Sequence, residues 1–127
     1  MALHPAVYGE LLREKISRHN VSCWLVNTGW SGGPYGVGRR IDISYSRALV
    51  NAVLNGTLTA GTFEKEPFFG LEIPSTCPGV PPEILNPRNT WADTAGYDEA
   101  ARKLAGMFRD NFRKYAAHVT PEVANII

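Results

Sequence analysis

Cys23-Trp24-Leu25-Val26 is a continuous apolar run bracketed by Asn20 and Asn27, and it passes directly into Thr28-Gly29-Trp30-Ser31-Gly32-Gly33-Pro34-Tyr35-Gly36-Val37-Gly38-Arg39-Arg40. A short apolar run with polar brackets reads as a strand buried on both faces. Upstream of it, Pro5 suits a first helical position, and Val7/Tyr8, Leu11/Leu12 and Ile16 recur at helical spacing, which predicts an amphipathic helix over residues 5–18. Helix followed by buried strand is the order of an α/β layer. The expected class is therefore α/β, with mixed-sheet strands and flanking helices.

Downstream the chain loosens. Thr28 to Arg40 holds six glycines or prolines in thirteen residues, the composition of an irregular loop. Ile41-Asp42-Ile43 alternates as a half-exposed strand does. A helix capped by Ser44 or Ser46 follows, with Leu49, Val50, Val53 and Leu54 as its apolar positions and Asn55-Gly56 as its stop. Residues 57–67 read as an exposed connection, and Phe68 to Ile73 as a strand with Phe69, Leu71 and Ile73 on one face. Pro74 to Pro87 carries five prolines in fourteen residues, which excludes regular structure from most of it. Asp93 or Thr94 opens the longest expected helix, to about Ala117, with a stripe of Leu104, Phe108, Phe112 and Tyr115 beside Met107. Pro121 to Ile127 adds one further turn. No repeat or linker divides the chain, so residues 1–127 are expected to form a single piece.

Composition narrows the function. Thirteen Lys and Arg against twelve Asp and Glu leave a net charge of +1 over 127 residues, without the basic excess of a nucleic-acid surface. No apolar run reaches the roughly 18–20 residues that cross a bilayer, and Met-Ala-Leu-His-Pro has neither part of a signal peptide. Neither nucleic acid nor membrane is expected as a partner. Cys23 and Cys77 fit reduced thiols, Cys23 in the core. His4, His19 and His118 are scattered, with no cysteine at metal-ligand spacing. The sequons at Asn20 and Asn55 read as accidental.

Only the glycine-rich stretch suggests chemistry. Gly33-Pro34-Tyr35-Gly36-Val37-Gly38-Arg39-Arg40 approaches the spacing of a phosphate-cradling loop, but Arg39 replaces its lysine and Arg40 its magnesium-binding hydroxyl. No helix is predicted directly after it, and the phosphate-loop reading is rejected. What remains is a turn ending in two adjacent guanidiniums, planar groups that hydrogen-bond phosphate in pairs or stack on a purine. Solvation, or pairing with Asp42 or a glutamate, explains the same two residues without a ligand. Asp42 and Glu72 as a carboxylate pair, and Trp24, Trp30 or Trp91 as stacking surfaces, are weaker candidates. Arg102, Lys103, Arg109, Arg113 and Lys114 read as a solvated helix face.

The run Leu25-Val26-Asn27-Thr28-Gly29-Trp30, then Gly32 to Ile41, then Tyr45-Ser46-Arg47-Ala48, resembles the C-terminal part of ATP-dependent phosphoenolpyruvate carboxykinase. Phe69 to Pro74, Pro78-Gly79-Val80-Pro81, and Leu85-Asn86-Pro87-Arg88-Asn89-Thr90-Trp91 extend the likeness, with Leu3-His4-Pro5 and Phe108 to Tyr115 at the ends. That family converts oxaloacetate and ATP to phosphoenolpyruvate, ADP and carbon dioxide in gluconeogenesis. The resemblance implies a lyase acting in the cytoplasm, with Mn2+ and Mg2+ bound by residues outside this chain. It implies further that the chain is the C-terminal part of the nucleotide-binding catalytic domain, with the phosphate loop, metal ligands and oxaloacetate-binding arginines upstream.

Carried over by motif, Arg40 and Ile41 match the pair that contacts the nucleotide. Ser46 matches a position commonly threonine, keeping the hydroxyl and dropping a methyl. Arg39 and Arg47 are neighbours of that ATP site. No catalytic residue and no metal ligand is expected within the chain, and by itself it is expected to be inactive. Its expected partners are ATP and oxaloacetate in the intact enzyme and the remainder of the catalytic domain. The alternative is a non-catalytic module that folds or self-associates without binding nucleotide.

Overall fold

A computed structural model describes residues 3–124. Helices are joined by small antiparallel sheets, a mixed α/β content. The chain divides into two compact units, residues 25–103 and the sequence flanking them on either side.

In the flanking unit, α1 (Pro5–His19) starts where Pro5 removes a backbone donor and His4 Nδ1 accepts the Ala6 N–H at 3.2 Å. It stops at Asn20, whose left-handed φ of 48° lets its N–H return to the Ile16 carbonyl. The His4 ring lies 4.5 Å from that of His118 and 6.0 Å from that of Tyr115. None of α1 is buried, and Leu12 is 62% exposed.

The expected buried strand Cys23–Val26 does not form. These residues carry no ladder hydrogen bonds, Cys23 is an exposed free thiol and Leu25 is the most open of the four. A strand buried on both faces needs a hydrogen-bonded partner strand and packed layers above and below it, and no described strand pairs with this run.

The larger unit begins with a turn written by Asn27. Its side-chain oxygen accepts the Gly29 N–H at 2.9 Å and its amide donates to the Trp30 carbonyl at 3.1 Å. The expected loop then contains a hairpin: β1 (Trp30–Ser31) pairs antiparallel with β2 (Arg39–Arg40), Trp30 opposite Arg40 and Ser31 opposite Arg39. Its tip closes where the Val37 and Gly38 N–H groups donate to the Pro34 carbonyl.

The expected strand at Ile41–Ile43 is instead the approach to α2 (Ile43–Leu54): Ile41 and Asp42 precede the helix and Ile43 is its first residue. Asp42, rather than Ser44 or Ser46, is the cap, its carboxylate accepting the Ser44 N–H at 2.7 Å. Hydrogen bonds from the Ser44 side chain and N–H hold the Asp42 carboxyl below the usual carboxylate range. That employment removes Asp42 from any carboxylate pair with Glu72. The helix ends at Asn55 and Gly56, as its sequence predicts.

A second ribbon, β3 (Phe63–Lys65) with β4 (Glu72–Pro74), replaces the exposed connection and shortens the expected Phe68–Ile73 strand. The reason is Glu66. Its Oε2 accepts the Phe68 and Phe69 N–H groups at 2.9 and 2.6 Å, turning the chain before Gly70. The core of this unit is small: Ala52, Leu58, Cys77, Val80 and Ala101, with Ser46 and Glu66 buried among the polar residues.

A short helix α3 (Pro82–Leu85) and a 3-10 turn over Pro87–Thr90 follow. Arg88 in that turn forms a two-pronged ion pair with Asp98, at 2.7 and 3.1 Å. Asp98 belongs to α4 (Thr94–Phe112), which ends five residues before the expected Ala117 and gives way to a 3-10 turn at Ala116–His118. Leu104, Met107 and Phe108 of its expected core stripe are exposed. The last helix, α5, spans Pro121–Ala124, and the rest of the expected C-terminal turn lies outside the described residues.

Candidate functional site

The hairpin is held at a fixed place in its unit by a chain of polar contacts. Thr90 Oγ1 donates to the Pro87 carbonyl at 2.6 Å and lies 3.0 Å from Ser31 Oγ. With its only proton so committed, Thr90 accepts the Ser31 hydroxyl. The backbone at Gly32 comes so near that a Cβ there would sit 3.2 Å from the Thr90 carbonyl. Asp98, Arg88, Thr90 and Ser31 thus connect α4 to β1 without a large core.

Register decides what the hairpin presents. Residues directly opposite in an antiparallel pair project from the same face. Trp30 and Arg40 therefore share one face, and Ser31 and Arg39 the other. The Ser31 face is the one tied to Thr90. Trp30 and Arg40 stand on the opposite face, both exposed. The Ile41 N–H donates to the Gly29 carbonyl at 2.8 Å, extending the ladder by one bond and fixing the backbone immediately after Arg40.

Beyond Ile41, successive turns of α2 line an open hollow of about 360 Å³ with Ile43, Ser46, Arg47, Val50 and Asn51, closed on one side by Thr28. Ser46 is buried, its hydroxyl within a long 3.5 Å reach of the Asp42 carbonyl. The structure thus brings Ser46 and Arg47 together on one wall, and it sets Arg39, Arg40 and Ile41 on the adjoining strand end. Arg39 faces away from Arg40. The two guanidiniums do not act as one cluster.

A family model described as phosphoenolpyruvate carboxykinase matches residues 1–83. The chain belongs to the ATP-dependent phosphoenolpyruvate carboxykinase family. Among curated relatives of that name, it is 72% identical to one from Pelobacter propionicus, 65% to one from Geotalea uraniireducens and 63% to one from Geobacter metallireducens, each over all 127 residues. In every case the chain spans only about a quarter of the relative, 24% of its length.

In this carboxykinase segment, residue spacing gave no notice of Thr28 and Asn51 in the hollow or of the pairing of Trp30 with Arg40. The signal for Asn51 was present as the helical step from Ser46 or Arg47. The cross-strand pair carried no sequence signal, because a two-residue ladder is too short to show alternation. Trp91 proves to be packing material, its ring 5.6 Å from Tyr97 and nearly perpendicular to it. Among the described residues no three His, Cys, Asp or Glu side chains converge, so these residues do not form a metal cradle. No described helix is long and apolar enough to cross a membrane.

Proposed function

We propose that this chain is the C-terminal portion of the catalytic domain of an ATP-dependent phosphoenolpyruvate carboxykinase, a single piece that supplies the base and ribose side of the ATP site. The observation that carries the proposal is the 72% identity along the whole chain to a protein named phosphoenolpyruvate carboxykinase (ATP). The parent reaction, oxaloacetate and ATP to phosphoenolpyruvate, ADP and carbon dioxide, comes with that membership. So do a cytoplasmic setting and a requirement for Mn2+ and Mg2+, which neutralise phosphate charge and are held by residues of the parent enzyme outside this chain.

In this proposal Arg40 meets the nucleotide with its guanidinium, either stacked on the purine or donating to an oxygen. The Ile41 N–H is already spent on Gly29, so its carbonyl is the group that reads a base edge. Ser46 offers a hydroxyl from the wall of the hollow, with Arg47 next to it. Arg39, on the other face of the ribbon, is the outer neighbour of the site. None of these groups moves a proton or forms a bond; they position the nucleotide, and positioning with electrostatics dominates phosphoryl transfer.

The test is Arg40→Ala in the intact enzyme, titrated with ATP by calorimetry. Losing one charge-assisted contact or stack costs about 1.5–3 kcal/mol, roughly ten- to a hundredfold in Kd. Unchanged affinity together with an unchanged KM for ATP removes Arg40 from the site.

A further inference from the structure

We infer that Trp30 is a nucleotide-contacting residue, its indole forming a stacking platform for the base beside Arg40. This rests on the nucleotide reading of Arg40 and adds a residue to the site. Of the chain's three tryptophans, two are accounted for inside the fold. Trp91 packs on Tyr97, and Trp24 is half-buried. Trp30 is 64% exposed, although it sits in a turn fixed by two hydrogen bonds of the Asn27 side chain.

That combination is unusual for a large aromatic. The Asn27 side chain fixes the backbone on either side of it, at Gly29 and at the Trp30 carbonyl. Its neighbour Ser31, on the other face of the ribbon, is tied to Thr90, which holds that strand against the following 3-10 turn. The register then places the Trp30 and Arg40 side chains next to each other on the outward face. A flat π surface beside a planar cation is a pair suited to a purine, which can lie against the ring while the guanidinium meets its edge or the sugar. Stacking tolerates any base, so Trp30 supplies affinity for the base and leaves the choice of base to hydrogen-bonding groups.

The test uses the intact enzyme with Trp30→Ala and Trp30→Phe, beside Arg40→Ala. Binding of ATP and of tripolyphosphate, which has no base, is measured for each. Trp30→Ala is expected to weaken ATP by about tenfold or more and to leave tripolyphosphate binding unchanged. Trp30→Phe recovers most of the loss. Equal weakening of ATP and tripolyphosphate, or an unchanged ATP affinity, overturns the inference. Should Trp30→Ala fail to fold, acrylamide quenching of wild type against Trp30→Phe decides: ATP must shield the Trp30 emission, and an unshielded Trp30 overturns it equally. If Arg40→Ala weakens ATP and the Trp30 variants do not, only this inference falls. If Arg40→Ala has no effect either, the nucleotide reading falls with it.

Discussion

Replacing Gly38 with alanine tests whether hairpin geometry, beyond the presence of Arg40, makes the site. A Cβ on Gly38 would lie 2.9 Å from the Gly33 carbonyl oxygen and 3.0 Å from that of Ser31. Carbon–oxygen contacts are normally at least about 3.3 Å, so the ribbon must spread by roughly 0.3–0.4 Å. Both obstructing atoms are backbone, and neither can swing aside. Overpacking of this kind costs about 1–3 kcal/mol. The strain enters two residues before Arg40, and binding groups lose function when displaced by about 0.5 Å. ATP affinity in the intact enzyme should therefore fall by up to the tenfold to hundredfold expected for deleting the Arg40 contact itself. Gly36→Ala is the control. Its φ of 85° is left-handed, but no atom lies within 4 Å of the added Cβ. It should cost about 1–2 kcal/mol of conformational strain, with ATP binding retained. The assay is calorimetric Kd for ATP paired with thermal unfolding. A folded Gly38→Ala enzyme that binds ATP like wild type would refute the reasoning.

Further predictions concern the supports of the site. Hydrogen bonds and the charge of Arg88 hold the Asp98 carboxyl below the usual carboxylate range. Its contribution is thus complete above about pH 4, the unfolded range, and disappears as pH falls through the lower folded value. Asp98→Asn should unfold at lower temperature at pH 7, and the gap to wild type should close in acid; a gap that persists at about pH 2, below both values, contradicts the ion pair as its source. Glu66→Ala leaves the Phe68 and Phe69 N–H groups without their acceptor, at a cost of about 1–3 kcal/mol, so both amides should exchange at least about tenfold faster by hydrogen exchange. Unaltered protection there refutes the assigned role of Glu66. The isolated 127-residue chain exposes Leu12 at 62%, Leu25 at 87% and Leu54 at 78%. It should self-associate with rising concentration on sizing, whereas a monomer throughout contradicts that expectation.

How far the sequence could be read followed from how local the determinants are. The helices at Pro5–His19, Ile43–Leu54 and Thr94–Phe112 lay close to where periodicity placed them, because that signal is contained within a few residues, although Asp42 caps the second in place of Ser44 or Ser46 and the third stops five residues short of Ala117. The strands did not. Cys23–Val26 has strand composition but no described partner, and strand formation is a property of the pair. Two ribbons were hidden by side-chain turns at Asn27 and Glu66, residues whose hydrogen bonds to nearby N–H groups leave no hydrophobic pattern. The same reason explains the site. Arg40, Ile41 and Ser46 stood out by family likeness and adjacency, whereas the Trp30–Arg40 face arises from register across the connection between two short strands.

The most direct measurement is photolabelling of the intact enzyme with an ATP analogue bearing an azide on the base, followed by peptide mapping. Label protected by excess ATP is expected within the segment from Trp30 to Arg47. Protected label that falls wholly outside that segment would contradict the assignment of the base side of the site to this chain.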